Sequence, residues 1–358
     1  MNNNNNEVLG NEYHQIGMIS ITSANNAIEQ ASKAPMPKDL YKGLWREGEL
    51  ACLFADSNLG KSILAVQIAE EISKTQNVLY LDCELSDKQF QIRYSNENND
   101  EHHMFPRNFY RATISPINEN IGELDDYVGM NYEDRIIKDI ERAALYSSSK
   151  IIIVDNLSFL CIASEKGDAA GLFMMKLVRL KIKYGWSLLI IAHTPKRESW
   201  TVISPDHLAG SKKLFNFFDT IFAIGKCRKK DNLRYIKQLK VRTGEFTYTE
   251  DNVMICELGK SDGINLVFSV KGYGTETEQL SDSDNEEDIK KVCELRQQGL
   301  SIREIAAELK MKKSTVGRLS QRCKEEHCMV AEDNSESEAD EDQDLFNDEV
   351  NDEDEYDD

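Results

Sequence analysis

Residues 49–72 read ELACLFADSNLGKSILAVQIAEEI: an apolar strand, a short loop ending in glycine and an amphipathic helix in direct succession. No other stretch narrows the possible folds so far. A chain that leaves a buried strand through such a loop gathers backbone N–H groups, the Lys61 ammonium and the Ser62 hydroxyl around one point, as a triphosphate and its magnesium ion require. Leu64, Ile68 and Ile72 share one helical face, which seats the following helix on a sheet. Ala55 stands where the pattern GxxxxGK[ST] has its first glycine, and a methyl group is tolerated there if φ is negative. Ala55, Asp56, Ser57, Asn58, Leu59, Gly60, Lys61 and Ser62 are therefore expected to hold ATP, with Ser62 on the metal.

The rest of the chain supplies a sheet to carry that loop. The runs LACLF, VLYLD, IIIVD, SLLIIAH and TIFAIG are separated by amphipathic stretches such as EDRIIKDIERAALY. This predicts an α/β core with a mostly parallel sheet over residues 36–274. RYIKQLKVR, VMICEL and NLVFSVK, closely spaced and joined by turn residues, predict antiparallel strands at the sheet edge. Residues 1–35, rich in Asn and Ser, are expected to be an unstructured arm, with MISITS as a short strand at most. Residues 275–288 read as a linker, 289–328 as a small helical module and 329–358 as an acidic, unfolded tail. The formal charge is −20, of which residues 332–358 contribute −16, leaving an unremarkable −4 for everything else.

Three strand ends carry the chemistry that the loop lacks. Asp155 closes IIIVD at the carboxyl edge of a central strand, where open α/β sheets bind ligands, and is the expected magnesium partner of Ser62. LYLDCELS ends in Asp82 and Glu84. Hydrolysis needs a base that holds a water in line with the terminal phosphate, and Glu84 is the first choice, Asp82 the second. SLLIIAH delivers His193 to the same edge, where an imidazole can sense that phosphate.

Taken together, LWREGELACLFADSNLGKS, LYLDCELS, IIIVDN, IIAHTPK and LAGSKKLFNFFDTIFAIGK resemble the RecA-like P-loop ATPases, in particular the RepA/DnaB hexameric-helicase branch. The resemblance covers about residues 36–274. It implies a catalytic glutamate at Glu84 and a sensor at His193, joined by the phosphate-loop Lys61. It further implies that Lys240 and Arg242, in IKQLKVRTGE, reach the site of a neighbouring subunit in a ring or filament. The loop after His193 is where such proteins hold single-stranded DNA, which singles out Trp200, Lys212 and Lys213. Ala55 and the lack of a recognisable primase-recruiting N-terminal domain are departures from that pattern.

Residues 289–324 resolve into three helical stretches and resemble the helix-turn-helix of resolvase-type DNA-binding domains. Between 310 and 324 there are six Lys or Arg and no acid, and Lys312, Lys313, Thr315, Arg318 and Arg322 are the expected duplex contacts. The acidic tail would either solubilise the chain or dock on a basic protein partner. Eight scattered cysteines without a CxxC pair argue against a disulfide framework or a zinc site and for a reducing compartment. The N-terminus has no secretory pattern and no apolar run reaches membrane length, so a cytoplasmic protein without a membrane partner is expected. An oligomeric, helicase-like or recombination or replication accessory ATPase heads the functional classes. A DNA-binding regulator switched by ATP, and a P-loop kinase or signalling ATPase that never meets nucleic acid, stay open beside it.

Overall fold

Strands apolar at every position must be covered on both faces, and the chain achieves this with one large sheet between two layers of helices. The structure is a computed structural model. It describes residues 14–98, 100–114, 125–156, 167–194, 201–208, 212–228, 230–261, 263–281, 286–311 and 313–327. β1 (His14–Ile16) and β2 (Ile19–Ile21) pair as a hairpin, as do β3 (Asp39–Tyr41) and β4 (Trp45–Arg46). The main sheet contains β5 (Leu50–Ala55), β6 (Val78–Asp82), β7 (Phe109–Thr113), β8 (Ile151–Asp155), β9 (Ser187–His193), β10 (Thr220–Lys226), β11 (Leu233–Val241), β12 (Val253–Ser261) and β13 (Asn265–Gly274). Their spatial order is β13-β12-β11-β10-β5-β9-β8-β6-β7. The six strands from β10 to β7 run parallel, and β11, β12 and β13 extend the sheet antiparallel from β10. This is the α/β architecture expected of a RecA-like P-loop core.

The two faces divide by strict alternation. Leu50, Cys52 and Phe54 of β5 join one core with Leu188, Ile190, Trp186 and Phe218, under the helices Tyr132–Tyr146 and Gly167–Tyr184. Ala51, Leu53 and Ala55 join the other with Leu64, Ile68 and Ile72 of the helix Lys61–Ser73. Asn131 caps Tyr132–Tyr146, and its Ile137, Ile140 and Ala144 form the buried stripe. β5 lies near the middle of the sheet and is wholly buried, so the loop leaving its carboxyl end starts from a rigid base.

Three sequence expectations need correction. The arm 1–35 is not unstructured throughout: MISITS does supply β2, a turn at Gly17 (φ 59°) closes the hairpin, and Ser23 caps a helix, Ala24–Ser32. Residues 1–13 lie outside the described residues. The stretch 275–288 is not a free linker at its start, because Glu276–Leu280 is a helix capped by Thr275, with Glu276, Gln279 and Leu280 buried. Cysteine pairing also departs from expectation: Cys293 and Cys323 form a disulfide with Cα atoms 5.7 Å apart. These residues stand 30 apart without a spacing signal, and only the packing of two helices brings them together. Cys52, Cys83 and Cys256 are free thiols.

The chain divides into two compact units, residues 1–283 and 284–358. The second contains the helices Glu286–Gln297, Ile302–Glu308 and Lys313–His327, with Ile289, Val292, Ile305, Ala306, Val316 and Leu319 buried between them. Ser301 and Glu304 form a capping box at the middle helix, and Gly299 (φ 84°) makes the turn before it. No helix among the described residues is long and apolar enough to cross a membrane.

Candidate active site

The loop after β5 solves its backbone problem at two positions. Asn58 (φ 63°) and Gly60 (φ 94°) take the left-handed conformation, whereas Ala55 is not among the positive-φ residues, so its methyl is accommodated. Gly60 caps the helix Lys61–Ser73 with no side-chain hydrogen bond, which leaves the first N–H groups of that helix available to an anion. A Cβ on Gly60 would lie 2.9 Å from the Phe268 ring and 3.3 Å from Leu258, so the β12–β13 ribbon closes tightly over the loop. Gln67 fixes that ribbon: its side chain accepts from the Phe268 N–H at 2.7 Å and donates to the Phe268 carbonyl at 3.1 Å.

Within this frame Lys61 Nζ donates to the carbonyl oxygens of Ala55 (2.8 Å) and Asp56 (2.9 Å). Burial pushes the ammonium pKa down, and the charges of Asp155, Glu84 and Asp56 oppose that shift. Asp56 itself accepts from the Thr194 hydroxyl at 2.6 Å, which ties the loop to the end of β9. Asp155 is buried at the end of β8, bonded by Ser62 and by the Tyr80 hydroxyl at 2.7 Å. Desolvation pushes its pKa up in spite of those two hydrogen bonds. A carboxylate and a hydroxyl, both hard oxygen donors, suit a magnesium ion, and a divalent charge would offset the desolvation of Asp155. The residues present therefore fit the metal.

Glu84 and His193 line the same cleft of about 370 Å³ as Ser57, Asn58, Gly60, Lys61 and Ser62. The two side chains approach each other, Glu84 Oε1 to His193 Nε2 at 3.3 Å. His193 contributes most to holding the Glu84 carboxyl below its usual range, Lys61 and Arg93 add to this, and burial opposes it. Asp82, the second candidate base, is committed elsewhere. It accepts from the N–H groups of Glu84 (3.1 Å) and Leu85 (2.9 Å) and from Arg111 Nε (2.9 Å), and so shapes the turn that presents Glu84.

Two residues of the cleft escaped sequence reasoning. Arg93 closes the helix Asp87–Arg93, whose Ser86/Gln89 capping box fixes its start, and its guanidinium lines the cleft. Asn156, next after Asp155, touches both Glu84 and His193. The capping box was a legible signal for the first. For the second there was none beyond adjacency to a strand-ending acid.

Lys240 and Arg242, also expected at the site, lie away from this cleft. β10 pairs Thr220 with Ala51 and Ile224 with Ala55, while Ile221 pairs with Lys240, so Lys240 and Arg242 sit at the amino edge of β5. The phosphate loop leaves the opposite edge, about 13 Å away along the strand at roughly 3.3 Å per residue. Lys240 donates to the Phe215 carbonyl at 2.9 Å, and Arg242 pairs with Asp219 at 2.8 Å, so neither serves the loop of its own chain. Lys212 and Lys213 begin the helix Lys212–Phe217, and Lys313, Thr315, Arg318 and Arg322 belong to Lys313–His327, where Lys313 is exposed and Thr315 half-buried. The side chains of Lys212, Lys213, Arg318 and Arg322, and all of Trp200, Lys312 and the acidic tail, lie outside the described residues. No group of three or more metal-ligating side chains occurs among the described residues.

Comparison with known proteins bears on this geometry. The family model described as an AAA domain matches residues 22–199, which contain Lys61, Glu84, Asp155 and His193. No curated protein sequence matches the chain. Among solved structures, the chain is similar to a KaiC-like protein from the hyperthermophilic archaeon Pyrococcus horikoshii OT3. Identity is 11%, the TM-score 0.45, and the match covers 63% of this chain and 90% of that one. The AAA-domain match spans the loop and the strand ends that surround it, and so supports a P-loop ATPase.

Proposed function

We propose that this protein is an oligomeric RecA-like ATPase that hydrolyses ATP with magnesium and acts on DNA, in a helicase-like or a recombination or replication accessory role. One observation carries the reading: Lys61, Ser62, Asp155, Glu84 and His193, drawn from four strands, converge at one edge of the sheet. Lys61 and the loop N–H groups would hold the phosphates, and Ser62 with Asp155 would hold magnesium. The metal, when bound, neutralises charge on the phosphate oxygens. Glu84, ionised and facing the cleft, would take the proton of an attacking water, and Arg93 would balance charge near it.

The DNA part rests on the separate three-helix unit and its basic run from Lys310 to Lys324. The self-assembly part rests on Lys240 and Arg242, which stand at the edge of β5 opposite the phosphate loop of their own chain and would serve the site of another copy. Arg242→Ala is expected to bind ATP normally yet lose turnover, and mixing it with Glu84→Gln subunits restores part of the activity if the arginine acts across subunits. Activity that stays at zero in the mixture removes the shared-site reading.

The test of the whole reading is ATP hydrolysis by the full chain without DNA, with single strands and with duplex, using Lys61→Ala as the blank. Stimulation by single strands with a dead Lys61→Ala is the expected result. Slow turnover that ignores single strands while duplex still binds would favour the ATP-switched regulator, which the separate helical unit also suits. Absence of any DNA binding would favour the signalling class.

A further inference from the structure

The turn that presents Glu84 is fastened from outside the cleft. Cys83 still bonds to β8, its N–H donating to the Asp155 carbonyl at 2.7 Å. From Glu84 to Asp87 no residue is buried, so burial does not fix the chain there. Asp82 Oδ1 takes the Glu84 and Leu85 N–H groups, which leaves Oδ2 as a handle on the turn. Arg111 takes that handle. It stands on the edge strand β7 opposite Tyr80 and reaches the Asp82 oxygen two residues further on, with Nε at 2.9 Å. One of its terminal nitrogens donates to the Leu85 carbonyl at 2.6 Å and the other to Asp87 at 2.6 Å. The Phe90 ring centroid lies 4.6 Å from the guanidinium carbon. An arginine side chain keeps its charge across the working pH range, and its planar fork can hold several acceptors at once.

We propose that Arg111 is a positioning residue for hydrolysis: by gripping the Asp82 carboxylate and the Leu85 carbonyl together, it fixes the turn that aims Glu84 into the cleft. This rests on the reading of Glu84 as the base. The two gripped groups lie on either side of Glu84 in the chain, so one rigid fork sets both ends of the segment that carries it. The bond to Asp82 is charge-assisted and its carboxylate is buried, which makes this contact the strong one. Asp87 is exposed, and its pairing with Arg111 adds little. Arg111 does not line the cleft, whereas Glu84 does, so its effect on the reaction passes through Glu84.

The experiment measures ATP hydrolysis by the full chain in a cycle of four: parent, Arg111→Ala, Glu84→Gln and the double variant. Arg111→Ala should lower kcat by about 10²-fold, the size expected when a reacting group is misplaced by about 1 Å. Its affinity for a non-hydrolysable ATP analogue with magnesium should match the parent. The double variant should be no slower than Glu84→Gln alone, because aiming a side chain that cannot take a proton gains nothing. Arg111→Lys, which keeps the cation but not the fork, should fall between parent and Arg111→Ala. If Arg111→Ala does not fold, the cycle is run with Arg111→Lys in its place, and a lowered kcat with unchanged analogue affinity is then the expected result. Parental kcat in the folded Arg111 variant beside a slow Glu84→Gln overturns this proposal alone. So does a loss of analogue affinity in step with kcat, or a double variant that adds the two losses. Parental turnover in Glu84→Gln removes the base reading and this proposal with it, and a parent chain with no turnover removes both together with the ATPase reading.

Discussion

Glu84→Gln is expected to bind ATP as the parent chain does and to hydrolyse it about 10² to 10⁴ times more slowly, the usual contribution of a positioned general base. The substitution keeps the shape of the side chain and an oxygen that can accept from Asn156, so the cleft should persist. What disappears is the charge that the cleft is built to maintain. His193, Lys61 and Arg93 together hold the carboxyl ionised, and glutamine cannot take a proton from water. Single-turnover hydrolysis beside an equilibrium titration with a fluorescent nucleotide separates the two effects. Turnover at the parental rate would pass the role of base to His193, the other proton acceptor in the cleft.

Glu276→Ala is expected to destabilise the first unit by about 3–5 kcal/mol, the cost of leaving a buried charge without its partner. Glu276 is 1% exposed and accepts from Lys237 Nζ at 2.5 Å, Tyr235 Oη at 2.9 Å and the Ile203 N–H at 2.8 Å. Removing it leaves the buried Lys237 ammonium with only the Ile203 carbonyl at 3.3 Å and the more exposed Glu250 carboxylate at 3.7 Å, and takes away the acceptor of the Tyr235 hydroxyl and the Ile203 N–H. The double variant Glu276→Leu with Lys237→Met should recover most of the loss, because apolar groups of similar volume replace a buried ion pair at little cost. Denaturant midpoints of the four chains measure this directly. A single-variant loss below about 1 kcal/mol would mean that the pair behaves as a surface contact. The pair also fixes Ile203, ten residues beyond His193, to β11. Its loss should therefore reach the segment that follows the sensor strand.

Much of the site could be read before any fold was known, because its parts are short-range. Gly60, Lys61 and Ser62 are adjacent, and Asp155, Glu84 and His193 each stand at the end of an apolar run whose burial is a local property. The nine-stranded order could not be read so. β5 pairs with β10 and β9, strands separated from it by more than a hundred residues, and no local pattern encodes which strand comes next. The same limit hid the closure of Phe268 over Gly60, which joins residues 208 apart in the chain.

Two misreadings share that origin. The polar composition around 275–288 suggested a linker, yet Glu276 is a buried anchor because Lys237 and Tyr235 meet it in space. Cys293 and Cys323 looked unrelated until helix packing set them side by side. The arm misled for a different reason: Asn-rich composition masked a hairpin and a capped helix that begin only after the Asn run.

The amino-acid pattern alone therefore established the phosphate loop, the acids and imidazole at strand ends, and an α/β core, since each follows from neighbouring residues and their periodicity. Tertiary structure alone decided that Asp82 shapes a turn while Glu84 faces the cleft, that Asn156 joins Glu84 to His193, and that Lys240 and Arg242 stand at the far edge of the sheet. Those outcomes depend on which strands become neighbours, and that choice is made by burying the whole sheet at once rather than by any one segment.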